Sequence, residues 1–159
     1  MRTETIAAYT FSELSEKAKD RARNWYSEGL DYPWYREAEE SIRAFCNAFR
    51  VRVLDYAYGP FDRHNYIKTD AEPAHFRGLK LRDVDREAMR TGYYLDNTLQ
   101  YAFYDAFKQT GNAYAAFKCA LDAAISGIVA DVEYYHSTEA IDEMLEVNGY
   151  EFTADGRVF

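Results

Sequence analysis

The sequence predicts a mostly helical α+β protein in which a long central helix is wrapped by shorter helices, beside a small antiparallel sheet. Three observations favour this class. Apolar residues recur with helical spacing in four segments, a fifth segment is apolar or small around most of its circumference, and residues 51–58 alternate with the period of a strand. Because 159 residues can bury a sizeable core and the sequence contains no linker, we expect a single globular domain, residues 1–159.

The central helix is predicted for residues 112–135. Its polar interruptions before Asp131 are Lys118, Asp122 and Ser126, which are four residues apart and form one narrow stripe. Many alanines keep the helix thin, so neighbouring elements can approach it closely. At 1.5 Å per residue the helix is about 36 Å long. A helix that is polar along so narrow a line requires other elements on its remaining sides.

Four further helices are predicted for residues 12–28, 34–50, 95–109 and 138–147. The first begins with the Thr10 and Glu13 spacing of a capping box and ends at Gly29. Pro33 lies in the first turn of the second, where its missing N–H costs nothing. The inward faces are expected to include Leu14, Ala18, Ala22, Trp25 and Tyr26 in the first helix, and Ile141, Met144 and Leu145 in the last.

The predicted sheet consists of residues 51–58 and 64–68, joined by a hairpin turn at 59–63, together with a C-terminal hairpin. That hairpin pairs residues 150–152 with 157–159 around a turn containing Asp155 and Gly156. A short strand or extended arm is expected at residues 3–9, and a short helix at about 83–90.

Aromatic residues make up 17% of the chain, and fifteen of them are tyrosines. Tyrosine joins apolar area to a polar tip, so it suits both the half-buried edges of a core and contact surfaces. Cys46 and Cys119 lie in apolar helical patterns without metal-site or disulfide spacing, and we expect two buried thiols in a reducing compartment. Because no signal-peptide core or membrane-spanning run is found, we expect a cytoplasmic protein.

The net charge of −8 is unevenly distributed along the chain. Residues 1–93 hold sixteen basic and sixteen acidic side chains, whereas residues 94–159 hold three basic and eleven acidic side chains. The imbalance therefore lies entirely in the C-terminal part. Such a segment is unsuited to grip a nucleic-acid backbone, and it fits either a basic partner surface or simple solubility.

Both ends of the chain carry distinctive motifs. An F-x-E-L-S-x-x-A-K-x-x-A pattern and a Y-x-F-T-x-D-G pattern are formed by Phe11, Glu13, Leu14, Ser15, Ala18, Lys19 and Ala22, and by Tyr150, Phe152, Thr153, Asp155 and Gly156. These motifs resemble the opening helix and the closing hairpin of a family of small, largely uncharacterised phage and prophage proteins, often labelled antitoxin-like. The resemblance implies a mobile-element gene whose product acts on a component of a bacterial host, and it implies no catalytic residue.

No motif points to catalysis, a cofactor or a metal. His64, His75 and His136 lack helical metal-site spacing, although His75 with Asp70 and Glu72 forms a conceivable ligand cluster. Acidic groups on predicted helices are typical of solvated faces. We therefore predict no catalytic residue, no cofactor and no metal, and we keep a small enzyme with a site assembled from scattered acids and tyrosines as an alternative.

A second alternative is a binder of single-stranded nucleic acid, because basic and aromatic residues alternate in the middle of the chain. The basic residues are Arg50, Arg52, Arg63, Lys68, Arg77, Lys80, Arg82, Arg86 and Arg90, among Tyr56, Tyr58, Tyr66 and Phe76. Several acids in the same segment and a sequence pI near 4.9 argue against it.

The favoured hypothesis uses the acidic residues of the C-terminal part. Carboxylates on a rigid surface can stand in for phosphates and attract the lysines and arginines of a partner. The predicted partner-binding face consists of Asp131, Glu133, Glu139, Asp142, Glu143, Glu146, Glu151 and Asp155. The sequence thus predicts a non-catalytic phage or prophage protein that binds and inhibits a host protein, a nucleic-acid-binding component of defence, as an anti-CRISPR or similar counter-defence inhibitor that mimics nucleic acid. The other alternative is an antitoxin-like or regulatory module of a toxin–antitoxin pair.

Overall fold

A computed structural model of the chain describes residues 7–59 and 64–159. It confirms the mostly helical α+β class. In this part of the chain the α-helices are α1 (Glu16–Glu28), α2 (Tyr35–Ala48), α3 (Leu95–Thr110), α4 (Ala113–Tyr135) and α5 (Thr138–Val147). The strands are β1 (Tyr9–Thr10), β2 (Val53–Ala57), β3 (Tyr66–Thr69) and β4 (Glu151–Phe152). The start of the predicted arm, residues 3–6, and most of the predicted turn, residues 60–63, lie outside the described residues.

The strands form two separate antiparallel pairs rather than the single small sheet that the sequence predicted. β2 pairs with β3, as expected for the hairpin. β4 pairs with β1, so that Tyr9 lies opposite Phe152. The predicted C-terminal hairpin is confirmed, because Phe152 also bridges Val158 and the N–H of Phe159 donates to the carbonyl of Glu151 at 3.0 Å. The prediction of one sheet was wrong, because alternation within a segment does not show which distant strand completes its hydrogen bonds.

Local side-chain hydrogen bonds move two predicted helix boundaries. α1 begins at Glu16 rather than near residue 12, because Ser15 is its N-cap and the N–H of Thr10 donates to the Glu13 carboxylate across a separate 3₁₀ turn. The short helix expected near 83–90 is replaced by 3₁₀ turns at Leu81–Asp83 and Glu87–Met89. Between them Asp85 accepts hydrogen bonds from the backbone of Glu87 and Ala88, which competes with a continuous helix.

The described residues divide into two compact units. We call residues 7–32 with 133–159 the end unit, and residues 33–132 the middle unit. The α4 helix belongs to the middle unit through Val132, and its last three residues belong to the end unit. The expectation of a single domain stays a prediction.

The core of the end unit is built from the motifs at the two ends of the chain. It contains Phe11, Leu14, Ala18, Ala22, Ile141, Leu145 and Phe152. The rings of Phe11 and Phe152 meet edge to face with centroids 6.4 Å apart. Two predicted inward residues are partly exposed at the edge of this core: Trp25, whose ring still contacts Phe152, is 39% exposed, and Met144 is 36% exposed. In each of the two helices the predicted apolar stripe included one residue too many, because other side chains cover only the residues at the centre of the stripe.

The core of the middle unit is a cluster of phenylalanines. Phe45 on α2 and Phe49, the residue that follows this helix, contact Phe103 on α3 and Phe117 on α4, with ring centroids between 4.8 and 6.1 Å apart. Phe76, from the segment between β3 and α3, lies 5.0 Å from Phe117. Aromatic packing of this kind holds α2, α3 and this part of α4 together.

The buried residues of α4 recur every three or four positions, from Ala113 to Val132. Lys118, Asp122 and Ser126 are exposed, as the polar stripe predicted. Cys119 is also exposed, which corrects the expectation of two buried thiols, while Cys46 is buried. Within the described residues no helix is both long and apolar enough to cross a membrane.

A buried polar network fixes the start of α3. The Asp96 carboxylate accepts hydrogen bonds from the backbone N–H groups of Thr91 and Gly92, at 2.6 and 2.9 Å. It also accepts one from the Thr91 hydroxyl, whose oxygen lies 2.9 Å from the hydroxyl oxygen of buried Ser41 on α2. This network ties α2 to the turn from which α3 begins.

Candidate functional site

The eight acidic residues of the predicted face do not form one uniform surface. Seven lie in the end unit, and Asp131 lies in the middle unit. Asp131 affects a tyrosine of its own unit. Burial of Tyr94 raises the pKa of that tyrosine, and the negative charge of Asp131 raises it further. Asp131 and Asp142 are half-buried, and the others are exposed.

An uncompensated acidic row lies on the outer face of α5. Ser137 caps this helix by accepting the N–H of Ala140, and the opposite side of the helix is buried. Glu139, Glu143 and Glu146 are exposed at helical spacing. None of the three has an ion-pair partner among residues 7–59 and 64–159. We call these three residues the acidic row.

Asp142, on the same helix, is instead paired with an arginine of the end unit. Its two carboxylate oxygens accept hydrogen bonds from Nε and Nη2 of Arg23 on α1, at 2.6 and 2.8 Å. The Arg23 side chain is largely buried, and it also contacts the exposed Asp20 at 2.7 Å. A carboxylate held by two parallel bonds is committed to its guanidinium, so Asp142 is removed from the predicted binding face.

Asp155, in the C-terminal turn, is also paired. It accepts a hydrogen bond from the Thr153 hydroxyl at 2.6 Å, and its other oxygen lies 2.8 Å from Arg21 and 3.2 Å from Arg157. The hydroxyl of Thr153, followed by the charges of Arg157 and Arg21, lowers the pKa of Asp155. Glu133 and Glu151 are exposed but lie on α4 and β4. The predicted face therefore contracts to the acidic row on α5.

Apolar and aromatic side chains accompany the acidic row on the surface of the end unit. Met144 and Val147 on α5 are exposed, Val147 to 76%, and Tyr134 near the end of α4 is 54% exposed. On α1, Trp25 packs edge to face against Tyr150 with ring centroids 5.4 Å apart. These two residues help to line a cleft of about 360 Å³. The end unit thus presents contact area as well as charge.

The described residues give no support to a metal site or a reactive thiol. No group of three or more histidine, cysteine, aspartate or glutamate side chains in residues 7–59 and 64–159 could hold a metal ion. The Nδ1 atom of His75 lies 3.0 Å from the N–H of Glu72, so this ring completes a turn. Burial raises the pKa of the Cys46 thiol to about 12, which keeps it protonated at neutral pH.

Acidic groups pair part of the basic and tyrosine surface on which the nucleic-acid alternative depends. Arg52 pairs with Asp70 at 2.8 Å. The tyrosine hydroxyls of the hairpin donate to acids, Tyr56 to Glu39 at 2.7 Å and Tyr66 to Asp55 at 2.8 Å. Of the other basic residues predicted for this role, Arg82 and Arg90 are also paired, and Arg63 lies outside the described residues.

Sequence reasoning missed a groove on the outer face of α3. The helix contributes Asn97, Gln100, Tyr101, Tyr104, Asp105 and Lys108 to its lining. Arg86 and Arg90, which flank the 3₁₀ turn Glu87–Met89, complete it. A signal was present, since the six α3 positions follow the i, i+3, i+4, i+7 spacing of one helical face. Only the apolar face of this segment was used to predict the helix.

Comparison with known proteins does not assign this chain to a family. No protein-family model matches the chain, and neither a curated protein nor a solved structure matches it. The resemblance of the two ends to a phage and prophage family therefore stays a prediction, and the function is argued from the geometry of the two units alone.

Proposed function

We propose that this chain is a non-catalytic, phage- or prophage-encoded protein that binds and inhibits a host protein in the bacterial cytoplasm. The binding surface is the acidic, aromatic surface of the end unit, centred on the acidic row. The partner is a nucleic-acid-binding component of host defence, and the chain acts as an anti-CRISPR or similar inhibitor that mimics nucleic acid. The observation that carries the proposal is the row of three exposed glutamates without partners among the described residues.

The acidic row costs the free protein stability. Like charges three and four residues apart on a helix repel each other by a few tenths of a kcal/mol per pair. A surface of lysines and arginines would reverse this repulsion on binding, and it would be attracted over a distance of about 8–10 Å at physiological salt. The row runs from Glu139 to Glu146, about 10 Å of helix, and a DNA strand carries about three phosphates over that length.

Apolar residues beside the acidic row add a contact surface that a partner can bind in addition to the charges. Exposed charge alone sets the rate and the specificity of association more than its affinity. Met144 and Val147 are exposed among the glutamates of α5, and methionine adapts to irregular partner surfaces. The combination fits a basic protein groove with an apolar floor, such as a nucleic-acid-binding channel.

A charge-matched pair of variants tests the proposal. The first variant carries Glu139→Gln, Glu143→Gln and Glu146→Gln. The control carries Glu28→Gln, Asp31→Asn and Asp122→Asn, three exposed acids away from α5 that have no ion pair among the described residues. Each set of substitutions removes three negative charges and changes the net charge from −8 to −5. Wild type and both variants are immobilised and exposed to bacterial lysate, and retained proteins are identified by mass spectrometry.

We expect wild type and the control to retain a nucleic-acid-binding protein that the α5 variant does not retain. Its retention should fall at about 0.5 M salt, because exposed charge pairs are screened. A short duplex or guide RNA that binds the captured protein should compete with the wild-type chain. Equal retention by both variants, or retention of nucleic acid alone, would show that the acidic row is a solvated helix face.

A further inference from the structure

The groove along α3 has the size and the chemistry of a small-ligand site. Its volume is about 350 Å³, at the lower end of the range of about 300–1,000 Å³ that is typical of small-molecule sites. It lies entirely within the middle unit. It shares no residue with the acidic row, so an inference about it goes beyond the proposed function and stands apart from it.

The lining of the groove is positively charged in a chain of net charge −8. Arg86, Arg90 and Lys108 face one acid, Asp105, and the Asp105 carboxylate accepts a hydrogen bond from Gln109 at 2.8 Å. Arg90 lies 3.0 Å from Glu87 in an exposed pair. Arg86 and Lys108 have no ion-pair partner among the described residues. A local excess of cations with unused N–H donors is suited to a phosphate group.

Tyr104 provides an independent sign that the groove accommodates a ligand. It is 7% exposed and lines the groove, yet its buried hydroxyl has no hydrogen-bond partner among the described residues. The Arg86 guanidinium carbon lies 3.9 Å from the centre of the Tyr104 ring, so that the cation is held against the ring face. A buried hydroxyl without a partner is unfavourable, and because less than 1 Å² of its oxygen is accessible, a ligand oxygen would relieve this cost only once a covering side chain moves aside.

The other residues of the groove suit a planar, polar group. Tyr101 is 78% exposed, which leaves its ring available for stacking on a base. Gln100 and Asn97 lie one and two helical turns before Tyr104, and their amides can both donate to and accept from a base edge or a ribose. We propose that this groove binds a free nucleoside phosphate, with Arg86, Arg90 and Lys108 on the phosphate and Tyr101 against the base.

A free nucleotide fits these observations better than a strand. A nucleic-acid strand needs a concentrated positive field that extends along its backbone. Here the groove gathers three cations, and the β2–β3 hairpin in the same unit pairs its arginine and its tyrosine hydroxyls with acids. The acidic remainder of the chain would repel a long polyanion, whereas a single nucleotide needs only the groove.

Calorimetric titration of the full chain tests the proposal with AMP, ATP, GTP, adenosine, inorganic phosphate and a ten-residue oligothymidylate. We expect at least one nucleotide to bind, and adenosine and inorganic phosphate each to bind at least tenfold more weakly, because each lacks half of the contacts. Arg86→Gln and Lys108→Gln should each weaken the nucleotide about tenfold. Arg77→Gln, which removes a charge from an exposed position in the same unit outside the groove, should change affinity less than twofold.

Tyr104→Phe distinguishes a binding role from a structural role. We expect it to weaken the nucleotide several-fold while leaving the melting temperature of the ligand-free protein equal or higher, because it removes a buried hydroxyl without a partner. The proposal is overturned if no nucleotide binds at about 1 mM, a concentration at which even weak specific sites are occupied. Equal effects of Arg86→Gln and Arg77→Gln, or tighter binding of phosphate or oligothymidylate than of any nucleotide, would also overturn it.

Discussion

The end unit and the middle unit each expose one face of an amphipathic helix, and the two faces have opposite chemistry. On α5 the exposed face carries Glu139, Glu143 and Glu146 with no described cation to balance them. On α3 the exposed face joins Arg86 and Arg90 and forms a cationic groove. Both helices lie in the segment 94–159, whose formal charge is −8. The α5 face takes its sign from the helix's own glutamates, whereas the α3 groove takes its sign largely from the segment that packs beside the helix.

The cores of the two units differ as well. The end unit relies on close approach of small residues, so that the C-terminal turn at Gly156 reaches the backbone of α1 at Ala18. The middle unit relies on a cluster of five large rings that includes Phe117 and on a buried polar network at Asp96. We therefore expect the stability of the end unit to be most sensitive to substitutions that add atoms, and that of the middle unit to substitutions that remove hydrogen-bond partners.

The largest effect is expected from Gly156→Ala in the end unit. A Cβ at this position would collide with the carbonyl oxygen of Ala18, and the φ of 83° is one that L side chains rarely adopt. We expect the free energy of unfolding to fall by about 3 kcal/mol or more. Denaturant unfolding measures the loss, and hydrogen exchange should locate it in residues 7–32 and 133–159.

Gly29→Ala is the matched control for that substitution. Gly29 ends α1 with a φ of −105°, and a Cβ there would meet nothing within 4 Å. We expect a change of no more than about 0.5 kcal/mol. If both variants had the same stability, the close approach of the C-terminal turn to α1 would not be the feature that holds the end unit together.

In the middle unit, Asp96→Ala should have the next largest effect. It leaves the N–H groups of Thr91 and Gly92 without their buried acceptor, and we expect a loss of about 2–3 kcal/mol in the free energy of unfolding. Asp105→Ala, on the exposed face of the same helix, should cost about 0.5 kcal/mol or less. Faster hydrogen exchange at the first turn of α3 should accompany the loss, and an unchanged exchange rate there would contradict the role given to Asp96.

Helix positions and the acidic row were predictable because both depend on spacing within one segment. Glu139, Glu143 and Glu146 are outward on α5 for the same reason that Ile141 and Leu145 are inward. The motifs at the two ends were also visible in the sequence, and the structure places their apolar residues in one core. A distinctive sequence motif can thus reflect the packing of a core and not a functional site.

The ion pairs and the groove were not predictable, because they join segments whose relative placement the sequence does not reveal. Asp142 looked like a member of the acidic face, but Arg23, which is 119 residues away in sequence, binds it. Arg86 and Arg90 were named among the basic residues of the nucleic-acid-binding alternative, but a 3₁₀ turn brings them to α3. The pairing of β4 with β1 is a third case of the same kind.

A double-mutant cycle on Arg23 and Asp142 would sharpen the contrast between paired and unpaired acids on α5. We expect a coupling energy of about 1 kcal/mol for Arg23→Gln with Asp142→Asn, because both side chains are partly buried and the contact has two hydrogen bonds. The exposed pair of Glu16 and Lys19 should give about 0–0.5 kcal/mol. Glu143→Gln should leave stability unchanged or raise it slightly, since it relieves repulsion within the acidic row.

The smallest effect concerns Tyr56 on β2, and it depends on pH. The Tyr56 hydroxyl and then Arg43 lower the pKa of Glu39 below its ordinary 4.5, while Glu39 raises the pKa of Tyr56 above its ordinary 10.0. The stability from Glu39 is present above pH 4.5 and is lost as pH falls through its lowered value. The stability from Tyr56 is present below pH 10.0 and is lost as pH rises through its raised value.

Tyr56→Phe should therefore destabilise the protein by about 1 kcal/mol or less between these limits, a small loss because the bond is partly exposed to solvent. The difference in the free energy of unfolding between Tyr56→Phe and wild type should shrink in acid and again in strong base. Tyr101→Phe, on the exposed face of α3, should show no such dependence on pH. Denaturant unfolding across this pH range gives both curves. A difference for Tyr56→Phe that persisted unchanged below the lowered pKa of Glu39 would mean that lost packing, and not the bond to the carboxylate, is what the hydroxyl contributes.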